Sequence, residues 1–309
     1  DEQVRQLVDK GESVDRVIFE LTTEDVRDAC DVLAPVAEST DADGRVSIEV
    51  EPDLANDTEA TISRARRLWS RLDRPNVFIK IPATGAGIPA IERAITEGIN
   101  VNVTLMFSVD VYRDVARAYI AGLRARHERG EDVTRLASVA SFFVSRVDTK
   151  VDKKLEELGT RAALEARGQA AIANAKLAYE AFNEIFGGDE FAELRAAGAH
   201  VQRCLWASTS TKNPDYRDVL YVEELIGPQT VDTMPLETIE AFLDHGGVRR
   251  TLDDGIDRAR DAIRAIEAQG ISMQDATTEL TEEGVASFAK SFDELIETIE
   301  SKRKALAPA

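Results

Sequence analysis

The stretch NVFIKIPATGAGIPAIERAITEGINVNVTLMFS, residues 76–108, decides the fold class because it alternates strand, helix and strand patterns. Both faces of its first strand are apolar apart from Lys80, a pattern typical of strands in parallel sheets. An ammonium is costly to bury unless it is paired or loses its proton, and a neutral amine can form a Schiff base with a carbonyl compound. The pattern therefore favours Lys80 as a catalytic nucleophile. The structural alternative is a strand-end lysine that reaches water or pairs with Glu49.

Strand and helix patterns alternate along the rest of the chain as well. We expect strands at 45–50, 77–81, 101–107, 137–147, 201–207 and 231–234, helices between them, a helical segment over 3–35 and a helical C-terminal region. One continuous alternation predicts a parallel sheet in a single α/β domain over residues 1–309. No Gly-rich dinucleotide or P-loop motif follows a strand. Six strands fit either an open α/β sheet or a TIM-type (β/α)8 barrel without its first two βα units, since that barrel needs eight strands.

Composition excludes several classes of partner. The 309 residues include 57 acidic and 38 basic side chains, and the net charge of −19 argues against nucleic acid or an anionic membrane as a partner. The two cysteines and three histidines lack metal-ligand spacing, so we predict buried thiols, a reducing compartment and no metal site. No signal peptide or long apolar run is present, and we predict a cytoplasmic protein.

Polar side chains recur on one face of neighbouring predicted strands. Glu49, Lys80, Asn102, Thr104 and Ser141 would all point to the same side, near the ends of four strands. Singly, each has a structural explanation, such as a sheet hydroxyl that bonds the backbone or a carboxylate that faces solvent. Their recurrence on consecutive strands favours a site at the carboxyl edge of the sheet, where barrel enzymes place catalytic groups.

Two cations follow later strands of this acidic chain. Arg146 comes just past a predicted strand, and Lys212 lies in the small-hydroxyl loop STSTKN before a helix. Arginine binds phosphate through two parallel hydrogen bonds, which makes this pair a candidate phosphate site. The alternative is an ordinary surface ion pair for each.

The blocks IKIPAT (79–84) and GINVNVTLMFS (98–108) resemble the transaldolase family. VSIEV, SVASFFVSRVD, LWASTSTKNPDY and TVDTMP resemble further blocks of that family in the same order, over essentially the whole chain. The resemblance is closest to the longer bacterial type found in actinobacteria. It implies a (β/α)8 barrel and a cytoplasmic Schiff-base enzyme of the pentose phosphate pathway, without cofactor or metal. Such an enzyme transfers a dihydroxyacetone unit from sedoheptulose 7-phosphate to glyceraldehyde 3-phosphate, giving erythrose 4-phosphate and fructose 6-phosphate.

The resemblance also implies a role for each candidate residue. Lys80 matches the Schiff-base lysine, and Glu49 matches the glutamate that moves protons through a water together with Thr104. Asn102 matches the asparagine that holds substrate hydroxyls. The serine and phosphate-binding arginine of the sixth-strand block correspond to Ser141 and Arg146. A second phosphate-binding cation corresponds, more loosely, to Lys212.

The chain departs from the family at its N-terminus. The aspartate of the first family strand, which acts at the C4 hydroxyl, and the TTNPS-like block of the second have no counterpart here. We therefore expect two missing βα units, with the strand of Glu49 and the strand at 231–234 as open edges, impaired turnover and a tendency to form a homodimer. Two alternatives stay open: a fructose-6-phosphate aldolase-like enzyme, against which the long C-terminal helical region argues, and a non-catalytic barrel remnant.

Overall fold

One sheet of six parallel strands forms the centre of the computed structural model, which describes residues 2–40 and 42–306. The strands are β1 (Val46–Glu49), β2 (Val77–Pro82), β3 (Val101–Met106), β4 (Ser138–Phe143), β5 (Arg203–Ala207) and β6 (Thr230–Asp232). They lie side by side in chain order, and each neighbouring pair is parallel. Within the described residues β1 and β6 are unpaired edges, so the sheet does not close. The predicted number of strands and both predicted edges are confirmed.

Helices follow the strands and cover the sheet. In chain order they are α1 (Glu2–Asp9), α2 (Val14–Thr40), α3 (Thr58–Leu72), α4 (Gly87–Thr96), α5 (Val109–Glu128), α6 (Ser145–Leu158), α7 (Arg161–Glu165), α8 (Ala170–Gly187), α9 (Ala192–Ala196), α10 (Leu220–Glu224), α11 (Leu236–His245), α12 (Ile256–Glu267) and α13 (Met273–Leu306). Among the helices that the structure describes, none has the length and hydropathy needed to cross a bilayer.

The strand β2 is buried on both faces, as its apolar pattern predicts. Val77, Ile79 and Ile81 are fully buried, and the opposite face carries the equally inaccessible Phe78. Lys80 alone in this strand keeps partial access to solvent. Each fully buried aliphatic side chain contributes about 1.5–3 kcal/mol, so burial of its neighbours fixes the strand and with it the position of Lys80.

The predicted strand over 137–147 is wrong at its C-terminal end. β4 ends at Phe143, and α6 begins at Ser145, which places Arg146 in the first turn of a helix instead of at a strand end. The apolar run FFV (142–144) continues the strand pattern across the junction of β4 and α6, so the sequence does not indicate where the strand ends. The buried residues Val147, Val151 and Leu155 recur every four positions, which is the helical period that takes over after the strand.

The N-terminal helical segment is also divided differently from the prediction for residues 3–35. α1 ends at Asp9 and α2 begins at Val14, with Gly11 between them in the left-handed region at φ 76°. Glycine adopts this conformation without the steric cost that a side chain brings, which is why helices often end at one. α2 then continues to Thr40, past Pro35.

A bulge interrupts β3 directly after Thr104. The pairing with β4 shifts between Val103 and Met106, and Leu105 has a left-handed φ of 54°. The strict alternation predicted for this strand therefore ends at Thr104. α13 packs against α2, α6 and β3, and a Cβ added at Gly284 of α13 would lie 2.8 Å from Cδ2 of Leu105. The glycine thus lets the long helix approach the carboxyl edge of the sheet closely.

Replacing Gly87 by alanine should lower stability, because its Cβ would lie 2.0 Å from the Pro82 carbonyl oxygen. Overpacking against backbone costs about 1–3 kcal/mol, which urea unfolding can measure as a lower free energy of unfolding. The matched control is Gly85→Ala, where nothing lies within 4 Å of the added methyl group. Equal stability of the two variants would contradict the close approach of α4 to the end of β2.

Candidate active site

Lys80 and Glu49 meet at the carboxyl ends of two paired strands. β1 and β2 pair these residues in register, and Lys80 Nζ lies 3.1 Å from Glu49 Oε2. The two side chains are 23% and 26% exposed, so the ion pair is largely buried and keeps partial access to solvent. Burial raises the pKa of the Glu49 carboxyl, and the charge of Lys80 partly offsets this effect. The geometry fits both interpretations of Lys80, as a nucleophile and as the ion-pair partner of Glu49, because the ion pair would also hold a nucleophilic amine in position.

An aromatic ring from the far end of the chain covers this pair. Lys80 Nζ lies 5.6 Å from the ring centroid of Phe288 in α13, a cation–π distance. The sequence analysis missed Phe288, because nothing in a helical pattern some two hundred residues away points to β2. Only the packing of α13 across the edge of the sheet brings the ring to Lys80.

Asn102 links three strands through hydrogen bonds of its side chain. The Ser141 hydroxyl donates to Asn102 Oδ1 at 2.7 Å, and Asn102 Nδ2 donates to Ser47 Oγ at 3.0 Å. Both Asn102 and Ser141 are buried. The network fixes the orientation of the amide and leaves one of its two N–H donors uncommitted. Asn102 and Ser141 are therefore brought together on the predicted face, beside the register position of Lys80.

Thr104 carries an unsatisfied polar group. Its side chain is fully buried, and Oγ1 has no hydrogen-bond partner in the described part of the protein. Its backbone carbonyl accepts from Ala83 N at 2.8 Å, which ties the end of β3 to the segment that follows Lys80. A buried hydroxyl without a partner costs about 1–3 kcal/mol, so its retention needs an explanation.

Arg146 and Lys212 line one cavity of about 660 Å³ between α6 and α13. The guanidinium of Arg146 lies 5.1 Å from the ring centroid of Phe143, and burial lowers the pKa of this arginine. Lys212 Nζ donates to Ser210 Oγ at 2.7 Å. Across residues 2–40 and 42–306, neither cation has a carboxylate within ion-pair distance. The alternative of an ordinary surface ion pair is therefore wrong for both.

Two other cations of the same cavity, Lys150 and Lys154, are paired with glutamates. Lys150 contacts Glu279 at 2.8 Å and Glu283 at 2.5 Å, and Lys154 contacts Glu279 at 3.2 Å. Because the two glutamates belong to α13, these pairs hold that helix against α6. Among the described residues, the cavity thus keeps Arg146, Lys153 and Lys212 without an ion pair beside the two paired lysines.

The described residues contain neither a cluster of metal ligands nor a thiol suited to act as a nucleophile. Across these ranges no group of three His, Cys, Asp or Glu side chains is close enough to bind a metal ion. Cys30 and Cys204 are free and buried, as predicted, and burial raises the pKa of their thiols to about 11 and about 12. Thiols with such pKa values are poor nucleophiles at neutral pH.

Comparison with known proteins identifies the family. Residues 1–299 match the family described as Transaldolase/Fructose-6-phosphate aldolase. The transaldolase of Mycolicibacterium smegmatis is 51% identical over 304 residues, 98% of this chain and 82% of the relative. That of Mycolicibacterium paratuberculosis is 53% identical over 302 residues (96% and 80%), and that of Mycobacterium ulcerans 51% over 310 residues (99% and 83%).

These alignments do not support the predicted loss of two N-terminal βα units, because they cover nearly the whole of this chain. The open sheet is a property of the described residues and carries no conclusion about the ends of the protein. The family match and the alignments with the three relatives both cover almost the full length of this chain. The chain belongs to the transaldolase/fructose-6-phosphate aldolase family.

Proposed function

We propose that this chain is a transaldolase that transfers a dihydroxyacetone unit from sedoheptulose 7-phosphate to glyceraldehyde 3-phosphate through an imine on Lys80. The observation that carries the proposal is the position of Lys80, held 3.1 Å from a carboxylate at the carboxyl edge of the sheet. The amine adds to the ketose carbonyl, and loss of water gives the imine. Cleavage of the bond between C3 and C4 then releases erythrose 4-phosphate and leaves an enamine, which attacks the acceptor aldehyde. Hydrolysis releases fructose 6-phosphate.

Glu49 and Thr104 are suited to the proton transfers of imine formation and hydrolysis. Burial raises the pKa of Glu49 toward the range in which a carboxyl exchanges protons readily at neutral pH. The uncommitted hydroxyl of Thr104 can bind the water that is released and later consumed. This use explains why a buried hydroxyl is kept without a protein partner.

Asn102, Ser141, Arg146 and Lys212 bind the substrate in this proposal. The free N–H of Asn102, oriented by Ser141, donates to a substrate hydroxyl. Arg146 and Lys212 bind the phosphate group, since in the described residues they are cations without carboxylate partners that line one cavity of about 660 Å³. The substrates are therefore sugar phosphates, and we place the enzyme in the cytoplasm. Formation of a homodimer stays a prediction that sedimentation velocity can check.

Borohydride should trap fructose 6-phosphate on Lys80 and on no other lysine. The reagent reduces an imine to a stable amine, and mass spectrometry of peptides locates the adduct. Lys80→Arg should abolish labelling, because a guanidinium is never a neutral nucleophile in proteins. The buried Lys176, which donates to the carbonyls of Thr251 and Asp254, serves as an internal control and should stay unmodified. Labelling of another lysine with Lys80 free would refute the assignment, whereas no labelling at all would favour the non-catalytic alternative.

Glu49→Gln should lower kcat by about 10²–10⁴, the usual contribution of general acid–base catalysis, while the protein stays folded. Folding is expected to tolerate the amide, since burial already disfavours the charged carboxylate. Thr104→Val should also lower kcat, yet it removes an unpaired buried hydroxyl and should not reduce the free energy of unfolding. Near-normal turnover of Glu49→Gln would mean that the carboxylate only pairs with Lys80.

Arg146→Ala should raise KM for fructose 6-phosphate about ten- to a hundredfold, the value of one charge-assisted hydrogen bond. The effect on dihydroxyacetone, which has no phosphate, should be much smaller. Arg113→Ala is the control, because Arg113 pairs with Glu184 on the outer helices and should leave both KM values unchanged. Equal losses for the two substrates in Arg146→Ala would show that the arginine is structural.

A further inference from the structure

The segment over residues 208–221, which carries Lys212 and the start of α10, contacts α6 at three positions. Near the start of the helix, the hydroxyls of Ser145 and Ser208 lie 2.9 Å apart, and Ser145 N donates to Ser208 O at 2.9 Å. Further along, Tyr221 and Tyr216 contact Asp148 and Asp152. Positions 145, 148 and 152 share one stripe of the helix. The loop therefore follows α6 for more than one turn.

The outermost contact is the most specific of the three. The Tyr216 hydroxyl donates to Asp152 Oδ2 at 2.6 Å, and Gly168 N donates to Asp152 Oδ1 at 2.9 Å. Gly168 has a φ of 69°, and a Cβ there would lie 2.9 Å from the Tyr216 hydroxyl oxygen and its ring carbon. Tyr216 is thus held by a carboxylate on one side and a bare backbone on the other. We call Asp152, Gly168 and Tyr216 the tyrosine clasp.

The inner contact repeats the same arrangement. Tyr221 donates to Asp148 Oδ2 at 2.8 Å, and Ala171 N donates to Asp148 Oδ1 at 2.7 Å. Both aspartates are buried, and burial raises their pKa values, that of Asp148 to about 6. Neither aspartate pairs with a cation in the described part of the chain. On this stripe of α6, each oxygen of the Asp148 and Asp152 carboxylates accepts a hydrogen bond, either from a tyrosine hydroxyl or from a backbone N–H.

α6 also carries Arg146, on the neighbouring stripe that faces the cavity. Lys212 stands four residues before Tyr216 and lines a smaller cavity of about 170 Å³ together with Asp152 and Tyr216. α6 therefore carries Arg146 itself and also contacts the loop that carries Lys212. If the loop moves along the helix, the separation between the two cations changes.

We propose that the tyrosine clasp positions Lys212 relative to Arg146 and so sets the affinity of the cavity for a phosphate group. The inference rests on the phosphate role proposed for these two cations. Tyr216 and Asp152 are positioning residues in it, since neither needs to touch the substrate. Their effect should appear in phosphate binding more than in the chemical step.

The test is Tyr216→Phe, which keeps the ring and removes the hydroxyl. The dissociation constant for inorganic phosphate, measured by titration calorimetry, should rise about three- to tenfold, the equivalent of one net hydrogen bond. KM for fructose 6-phosphate should rise by a similar factor, with a smaller change in kcat. Tyr119→Phe is the matched control, because its hydroxyl donates to His200 O at 2.8 Å, away from the Lys212 loop.

The outcomes separate this inference from the proposed function. A raised phosphate dissociation constant in Tyr216→Phe but not in Tyr119→Phe supports the clasp. The inference is overturned if both variants and the unaltered protein have the same dissociation constant for phosphate. It is also overturned if the unaltered protein does not bind phosphate. If Lys212→Ala and Arg146→Ala leave phosphate binding unchanged, the phosphate role itself is wrong. Failure of imine trapping on Lys80 would refute the proposed chemistry and leave the calorimetric result to stand by itself.

Discussion

The charge of Lys80 is the constraint on which the site depends. Every other residue of β2 is buried, so the ammonium must find a partner or a route to solvent at the end of the strand. Glu49 supplies the partner from the neighbouring strand, and the partial exposure of both side chains leaves them access to solvent. A side chain held in this way is fixed in position. The same burial raises the pKa of the Glu49 carboxyl.

Two helices, α6 and α13, pack beside this edge of the sheet. α13 places Phe288 over Lys80, packs Gly284 against Leu105 and pairs its glutamates with the lysines of α6. α6 carries Arg146 in its first turn and holds the Lys212 loop through its aspartates. The surroundings of Lys80 and the Arg146–Lys212 cavity therefore both involve α13, and a change in its packing should affect both.

The site is also a local exception in an acidic protein. The net charge is −19, yet cations gather along α6 and the loop beside it. Glutamates of α13 pair with Lys150 and Lys154, whereas Arg146, Lys153 and Lys212 have no ion pair among the described residues. In the proposed function, a phosphate group meets cations without carboxylate partners more readily than the paired lysines, because each paired lysine would first have to break an existing ion pair.

The sequence by itself determined the number of strands, their order and the face on which polar side chains gather. That face joins Glu49, Lys80, Asn102 and Ser141. The sequence could do so because buried parallel strands carry a strong apolar pattern, in which a polar residue is easily recognised. It misjudged the end of β4, where an apolar run hides the start of a helix, and the alternation of β3, which a bulge at Leu105 interrupts. The tertiary structure alone decided that Phe288 lies over Lys80, that the Thr104 hydroxyl has no partner among the described residues and that Tyr216 holds the Lys212 loop. Local periodicity records which face of an element is buried, whereas these contacts join residues far apart in the chain, and only the packing of α6 and α13 on the sheet brings them together.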